Sequence, residues 1–278
     1  LALSLMVGFR YARHLSRKYN KPIIPIHHMH AHALTARMEN DIEFPFLCLL
    51  ISGGHSLLTF VRDVNDFILL GESLDDAPGE AFDKIARRLK LRNLKQFENK
   101  NGGQAIEEAA RMCKEPTDKY EFPLMLAHYR DCQFSFAGLK SKAERHIRRQ
   151  ERNLKLEVDQ VIPDYNDFCA NVLGAITRHI CKRTQRAIDY CESQKMFNDV
   201  KQKTLVISGG VASNDFIFTA LDQLCQEMDI KAIRPRRQLC TDNGIMIGFA
   251  GVELFRRNLD ICHPSRIDEL DYTPKCPV

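Results

Sequence analysis

The chain has 278 residues, enough for one large or two medium-sized domains with real hydrophobic cores. Its 40 lysines and arginines face 36 acidic residues, and the net charge of +4 excludes a histone-like polycation, so nucleic-acid binding would need local patches. No apolar run has the length of a membrane span, and the ten cysteines form no CxxC pair, which favours buried, reduced thiols over a disulfide framework.

The first forty residues predict two helices joined by an extended segment. Apolar side chains recur at helical spacing over 1–19, and residues 21–26, which include two prolines, predict a short strand. A histidine-rich helix is then expected from His28 to about Met38. Because the chain opens at Leu1 in an apolar run, we expect a fragment or an N-terminally shortened product.

The remainder predicts a meander followed by alternating helices and strands, which is typical of the α/β class. Strands are predicted at 46–51, 57–61, 67–72, 204–207 and 230–233, and helices at 80–90, 104–114, 165–193, 214–227 and 244–257. The basic run from Lys140 to Lys155 predicts a solvated helix face. The last twenty residues are expected to be irregular.

Four of the ten histidines lie within six residues, from His27 to His32. On a helix, His28 and His32 would share one face, close enough to bind the same metal ion. Two ligands do not make a site, so the alternative is a histidine-rich helix start that binds no ion. A third ligand would have to come from elsewhere in the chain.

Two segments, 50–54 and 206–210, repeat one pattern, an apolar strand that ends in Ser-Gly-Gly. Paired glycines let backbone N–H groups approach an anion, and a helix that starts just after the second loop adds a favourable field. A tight turn is the alternative for the first loop. Two such loops at strand ends suggest a nucleotide bound in a cleft.

Several polar residues allow two interpretations. Asp242 precedes a helix, where it would be an N-cap or the carboxylate that completes a His-His-Asp metal site. Asp83 would form an exposed charge pair with Lys84 or accept a hydrogen bond from a sugar hydroxyl. Gly103 fits a loop ending and Glu107 a helix surface.

Familiar catalytic motifs are missing from the sequence. There is no G-x-S-x-G elbow, no HExxH motif and no Walker A pattern. A metalloprotease would therefore lack its general base, and no residue is assigned a chemical step.

Six motifs follow one another along the chain. They are His28-Met29-His30-Ala31-His32, Leu50-Ile51-Ser52-Gly53-Gly54-His55, Gly71 to Lys84, Phe134-Ser135-Phe136-Ala137-Gly138-Leu139-Lys140, Ser208-Gly209-Gly210-Val211-Ala212-Ser213-Asn214 and Cys240-Thr241-Asp242-Asn243-Gly244. In this order they resemble the motifs of the tRNA threonylcarbamoyladenosine transferases (the TsaD family), long described as O-sialoglycoprotein endopeptidases. The resemblance covers about residues 21–258, and the residues around the histidines are similar to those of the mitochondrial branch.

The resemblance implies an α/β fold of the actin-like/Hsp70-like/sugar-kinase (ASKHA) type, with two lobes around a nucleotide cleft. Residues 1–43 would be a remnant of lobe I, with the helix at 243–258 packing back on it. Residues 44–242 would form lobe II and residues 259–278 a C-terminal tail. Family members carry a further segment that builds the first lobe, so the fold is expected to be N-terminally truncated.

The resemblance also implies the ligands. His28, His32 and Asp242 would hold one divalent metal ion, zinc or iron. The adenylate of threonylcarbamoyl-AMP would contact Leu50, Ile51, Ser52, Gly53, Gly54, Asp83, Gly103, Glu107 and Asn214.

The implied reaction transfers the threonylcarbamoyl group to N6 of the adenosine next to the anticodon, in tRNAs that read codons beginning with A. The implied partners are tRNA and a separate synthase that supplies the adenylate, with a homodimer left open, no membrane, and a mitochondrial location. Candidate tRNA contacts are Lys140, Lys142, Arg145 and Arg236. The rival hypotheses are a metalloprotease and a truncated, non-catalytic product that only binds partners.

Overall fold

The structure is a computed structural model, and it describes residues 2–198 and 200–273. Three expectations fall partly outside this range: the start of the first helix at Leu1, the thiol of Cys276 and the end of the tail at 274–278. The nine cysteines within the described range are free, as predicted. Within the same range no helix is both long and apolar enough to cross a membrane.

The α/β class is confirmed. The helices are α1 (Ala2–Tyr19), α2 (His28–Leu34), α3 (Pro78–Arg88), α4 (Gly102–Met112), α5 (Ala137–Leu154), α6 (Tyr165–Ser193), α7 (Asp215–Glu227), α8 (Arg237–Cys240) and α9 (Gly244–Arg256). The strands are β1 (Phe46–Ile51), β2 (Ser56–Asp63), β3 (Asp66–Glu72), β4 (Thr204–Ser208) and β5 (Lys231–Ile233).

The described strands form one five-stranded sheet in the order β3-β2-β1-β4-β5. Strands β1, β2 and β3 make the antiparallel meander that the sequence predicts, whereas β4 pairs parallel with β1 and β5 parallel with β4. Because β1 has neighbours on both edges and packing on both faces, all six of its residues are buried. This explains its continuous apolar sequence.

The two faces of the sheet bury different helices. Side chains such as Leu49 and Ile51 point into the larger core, together with the apolar faces of α3 to α7. On the other face, Leu50 packs with Met29 and Ala33 of the histidine helix α2. A third cluster joins α2 to α9, so this short helix is held on two sides. The predicted lobe boundaries stay a prediction.

Two predicted elements are wrong in part. Residues 21–26 do not form a strand of the sheet, and only Ile23 makes a β-bridge, to Cys262. Pro22 and Pro25 lack the N–H that a strand would donate. The final segment, expected to be irregular, contains a 3₁₀-helix at Pro264–Glu269.

The irregular segment between α4 and α5 is anchored by one buried arginine. Arg183 of α6 is 1% exposed, and its guanidinium donates to the carbonyl oxygens of Tyr129 and Asp131 at 3.1 Å and of Met125 at 3.0 Å, and to that of Leu126. A planar fork can satisfy several carbonyls at once, which an ammonium group cannot do with the same geometry.

We therefore predict that Arg183→Lys lowers the free energy of unfolding by about 2 kcal/mol or more, because four carbonyls lose the hydrogen bonds of one buried guanidinium. Urea denaturation measures the loss, and hydrogen exchange should show faster exchange at 125–131. The control is Lys182→Ala on the exposed side of the same helix, which should change stability by less than about 0.5 kcal/mol. Equal stability of the two variants would contradict the assigned role.

A second tie joins α5 to the end of α3. The Oε1 atom of the Glu151 carboxylate accepts one hydrogen bond from Arg88 and one from Lys90, both at 2.7 Å. The Arg88 hydrogen bonds, aided by Lys90 and opposed by burial, lower the pKa of Glu151 from 4.5 to about 2.

Because the folded pKa is depressed, the stabilisation by Glu151 is present above the unfolded value and is lost as pH falls from about 4.5 to about 2. We predict that Glu151→Gln costs about 1–2 kcal/mol at pH 7 and that this difference shrinks steadily over that window. Urea unfolding at several pH values measures it, with Glu144→Gln, an exposed pair on the same helix, as the control. A difference that does not vary with pH would refute the linkage.

Candidate active site

The three predicted metal ligands lie together. Helix α2 places the rings of His28 and His32 with centroids 4.8 Å apart. The Oδ1 atom of Asp242 lies 2.9 Å from Nε2 of His32 and 3.4 Å from Nε2 of His28. The candidate ligand atoms of all three residues lie within 4.8 Å of one another. The fold thus brings together residues that are 210 positions apart in the chain.

The carboxylate of Asp242 is not used as a helix cap. The residue that caps α9 is Asn243, whose side-chain oxygen accepts a hydrogen bond from the N–H of Met246 at 2.9 Å. The N-cap interpretation of Asp242 is therefore wrong. Its side chain is 79% exposed and turned towards the histidines.

The cluster is buried on one side and open on the other. His32 is 4% exposed, whereas the His28 side chain is 44% exposed. Burial lowers the pKa of His32, although the hydrogen bond to Asp242 opposes this shift. A neutral imidazole is the form that binds a metal ion. The exposed side leaves room for a substrate atom beside the three protein ligands.

His55 is a neighbour of this cluster that the sequence did not assign to the site. Burial lowers its pKa, and the charge of His28 lowers it further while Asp242 opposes the shift. The available signal was the position of His55 directly after Ser-Gly-Gly. In the second loop, a Cβ at Gly210 would lie 3.8 Å from the side-chain methyl of Thr241, the residue before Asp242, so that loop lies beside the candidate ligands.

The two Ser-Gly-Gly loops lie side by side. Strands β1 and β4 are parallel and adjacent, with Leu50 opposite Ser208, so both loops leave the same edge of the sheet. Gly209 has φ +96°, and a Cβ there would collide with the carbonyl oxygen of Ile51 and lie 2.8 Å from its carbon. Only glycine permits this approach.

The first loop keeps its glycines open. The hydroxyl of Ser52 accepts hydrogen bonds from the N–H groups of Gly54 and His55, at 3.3 and 3.0 Å, and this shapes the turn. A Cβ at Gly53 or Gly54 would meet nothing within 4 Å. The two glycines therefore leave open space at this loop, into which a ligand would fit.

Helix α3 begins against the first loop. The N–H of Gly79 donates to the carbonyl of Ser52 at 3.1 Å, and a Cβ at Gly79 would lie 2.7 Å from the Cα of Gly53. The start of a helix carries a partial positive charge, so its position here adds to the field of the loop amides.

The predicted adenylate residues hold the neighbouring helices. Oδ1 of Asp83 on α3 accepts from the N–H of Gly102, at the start of α4, at 2.8 Å. Oε1 of Glu107 on α4 accepts from the N–H of Asp215, at the start of α7, at 2.9 Å. Contacts therefore run from the first loop through α3, α4 and α7 to the second loop.

Two further predicted adenylate residues flank these helix starts. Asn214 caps α7 by accepting from Ile217 at 3.1 Å and is buried. A Cβ at Gly103 would meet only Asn101, at an ordinary 3.6 Å, so sterics do not require glycine at this position. The structure therefore gives a local role to Asn214 and none specific to Gly103.

The four candidate tRNA contacts divide into two groups. Lys140 is ion-paired with Asp76 and Arg236 with Glu39. Within the described residues, Lys142 and Arg145 have no acidic partner, although both lie on α5. Of the four candidates, Lys142 and Arg145 are the two whose positive charge is not neutralised by an ion pair with a described residue.

Comparison with known proteins adds sequence relatives to this geometry. The family model for TsaD, tRNA N6-adenosine threonylcarbamoyltransferase, matches residues 1–249. A probable mitochondrial protein of that name from Drosophila melanogaster is 48% identical, with 98% of this chain and 67% of the relative covered. The mitochondrial protein of Homo sapiens is 44% identical, with 100% and 66% covered. The chain thus spans about two thirds of the length of these relatives.

Similarity to solved structures is weaker. The full-length HypF protein in its phosphate- and nucleotide-bound form is 13% identical, with a TM-score of 0.45 and coverage of 81% of this chain and 42% of that one. This likeness adds nothing to the assignment, which rests on the family model and the curated relatives. On those two findings, the chain belongs to the TsaD family of tRNA N6-adenosine threonylcarbamoyltransferases.

Proposed function

We propose that this protein transfers the threonylcarbamoyl group from threonylcarbamoyl-AMP to N6 of the adenosine beside the anticodon, in tRNAs that read codons beginning with A. One observation carries the proposal: a His-His-Asp cluster lies beside paired Ser-Gly-Gly loops in a member of this family. The ASKHA fold comes with membership of the family. The names of the relatives support a mitochondrial location.

The donor set of the cluster fits a divalent metal ion. His28, His32 and Asp242 would hold the ion through two imidazole nitrogens and one carboxylate oxygen, all within 4.8 Å of one another. This combination suits zinc or iron and leaves open coordination positions. When bound, such an ion supplies a Lewis acid that polarises the carbamoyl group.

The glycine loops and their flanking side chains would bind the adenylate. The open space at Gly53 and Gly54 of the first loop would take the phosphate of the adenylate. Asp83, Glu107 and Asn214 each use one polar atom to hold a helix start. Within the described residues each keeps its other polar atom without a partner, and these atoms would be available to ribose hydroxyls or the base.

The adenosine must reach this site from an anticodon loop, where bases can be unstacked and presented singly. Its N6 amine would attack the carbamoyl carbon, the bond from that carbon to the phosphate oxygen of AMP would break, and the amine would lose a proton. A separate synthase would supply the adenylate, and a homodimer stays a prediction.

The metal proposal predicts that His32→Ala and Asp242→Asn each reduce bound zinc or iron from a stoichiometric amount to a trace, because two remaining ligands do not make a site. Elemental analysis of the purified protein measures this. The matched control is His30→Gln on the same helix, since His30 stacks on Phe67 with centroids 3.7 Å apart. Unchanged metal content in either ligand variant would remove that residue from the site.

The proposed reaction is tested by single-turnover transfer of labelled threonine from threonylcarbamoyl-AMP to unmodified tRNA. We expect label in the tRNA with the wild-type protein and a loss of at least about a hundredfold in rate with His32→Ala, as expected when a metal ligand is removed. Absence of label with the wild-type protein would refute the transferase. Metal-dependent cleavage of a glycoprotein in a parallel assay would instead support the protease.

A further inference from the structure

A cavity lies away from the metal ligands. It has a volume of about 560 Å³, is open to solvent, and is bordered by the segment at 118–123 and by helices α5 and α6. Its lining includes the aromatic rings of Tyr120 and Phe122 and the side chains of Lys142, Asn171 and Arg178. The proposed transferase chemistry makes no use of it.

Two cations in this cavity have no acidic partner within the described residues. These are Lys142 and Arg178, whereas Lys140, only two positions earlier, is paired with Asp76. Arg145 and Arg149 follow Lys142 at spacings of three and seven residues, so all three share one face of α5. They too form no ion pair with a described residue.

Burial and these charges lower the pKa of a neighbouring histidine, His146. Burial lowers the pKa of His146, and the charges of Lys142, Arg149 and Arg145 lower it further, while a hydrogen bond to the carbonyl of Glu121 opposes the shift. The α5 and α6 side of the cavity therefore carries positive charge left unpaired by the described residues, whereas the segment at 118–123 contributes two acidic residues, Asp118 and Glu121.

The aromatic wall of the cavity is held in place. The ring of His146 packs edge-on against Tyr120 and Phe122, with centroids 5.5 and 5.6 Å apart. The hydroxyl of Tyr120 donates to Asp164 at 2.6 Å, which fixes that ring. Phe122 is only half-buried and has a ring surface at the cavity. A nucleobase can stack on a ring of this kind whatever its identity.

We propose that this cavity binds an unpaired nucleotide of the RNA substrate, with its base against Phe122 and its phosphate between Lys142 and Arg178. The inference rests on the proposed function, because it names a second contact with the same tRNA at a nucleotide other than the reacting adenosine. Combined cations and an aromatic face are typical of single-stranded RNA sites.

The cavity is connected to the active site through the start of α5. The carboxylate of Asp75 accepts from the N–H of Phe136 at 2.8 Å and from the hydroxyl of Ser135 at 2.6 Å. Asp75 stands four residues before Gly79, which contacts the first glycine loop. Lys142 lies five residues into α5, about 8 Å along its axis. The proposal therefore requires one RNA molecule to contact both places.

Two acidic residues, Asp118 and Glu121, also line the cavity. They would repel a phosphate and limit it to the side formed by Lys142 and Arg178. They also define a discriminating test, because an anionic ligand binds better when these acids are neutralised, whereas a cationic or peptide ligand binds worse.

The test measures binding of unmodified tRNA to the full chain as a function of salt concentration. We expect the double variant Lys142→Ala/Arg178→Ala to weaken binding about tenfold and to reduce the slope of log K against log salt by roughly 0.7, which corresponds to one lost phosphate contact on a single strand. Phe122→Leu should weaken binding about fivefold while leaving the slope unchanged. Asp118→Asn/Glu121→Gln should strengthen binding.

The matched control is Arg148→Ala, because Arg148 lies on the same helix but is paired with Glu144. Double-variant binding equal to that of the control, or weaker binding after neutralisation of the two acids, would overturn the proposal. Transfer to tRNA, measured alongside, separates the two hypotheses. No transfer with RNA binding that still depends on Lys142 and Arg178 refutes the transferase alone, and normal transfer with unaltered binding refutes the cavity alone.

Discussion

The candidate active site depends on one close approach between two backbones. Strand β4 pairs parallel with β1, and the second loop then turns so sharply that Gly209, with φ +96°, lies against the carbonyl of Ile51. A side chain at that position would force the strands apart or twist the loop away. Both Ser-Gly-Gly segments therefore reach the same edge of the sheet because this one contact allows it.

The predicted adenylate residues at this edge of the sheet have two roles, because they hold helix starts in place and also offer atoms to a ligand. Asp83 and Glu107 each join one helix to the start of the next, so α3, α4 and α7 all begin near the glycine loops. The partial positive charge at the start of α3, which contacts the first loop, favours an anion in the space beside it. A carboxylate has two oxygens, and a residue that fixes the scaffold with one oxygen retains the other for a ligand.

The sequence predicted local features well and long-range pairs poorly. The meander, the long helix α6 and the placement of His28 and His32 on one face follow from periodicity, which depends on neighbouring residues. The role of Asp242 was ambiguous, because both Asp242 and Asn243 are good N-cap residues and only the fold decides that Asn243 is the cap. The sequence around Lys140 does not reveal its ion pair, because the partner Asp76 is 64 residues away.

The same argument applies to the charge of the whole molecule. A formal charge of +4 says little about RNA binding, because most ion pairs in the described structure join residues that are far apart in the sequence, as Arg236 and Glu39 are. Ion pairs neutralise some basic residues and leave others unpaired. The unpaired basic residues of α5 share one face of the helix. The distribution of uncompensated charge is thus a property of the fold, which neither the composition nor the basic run at 140–155 could supply.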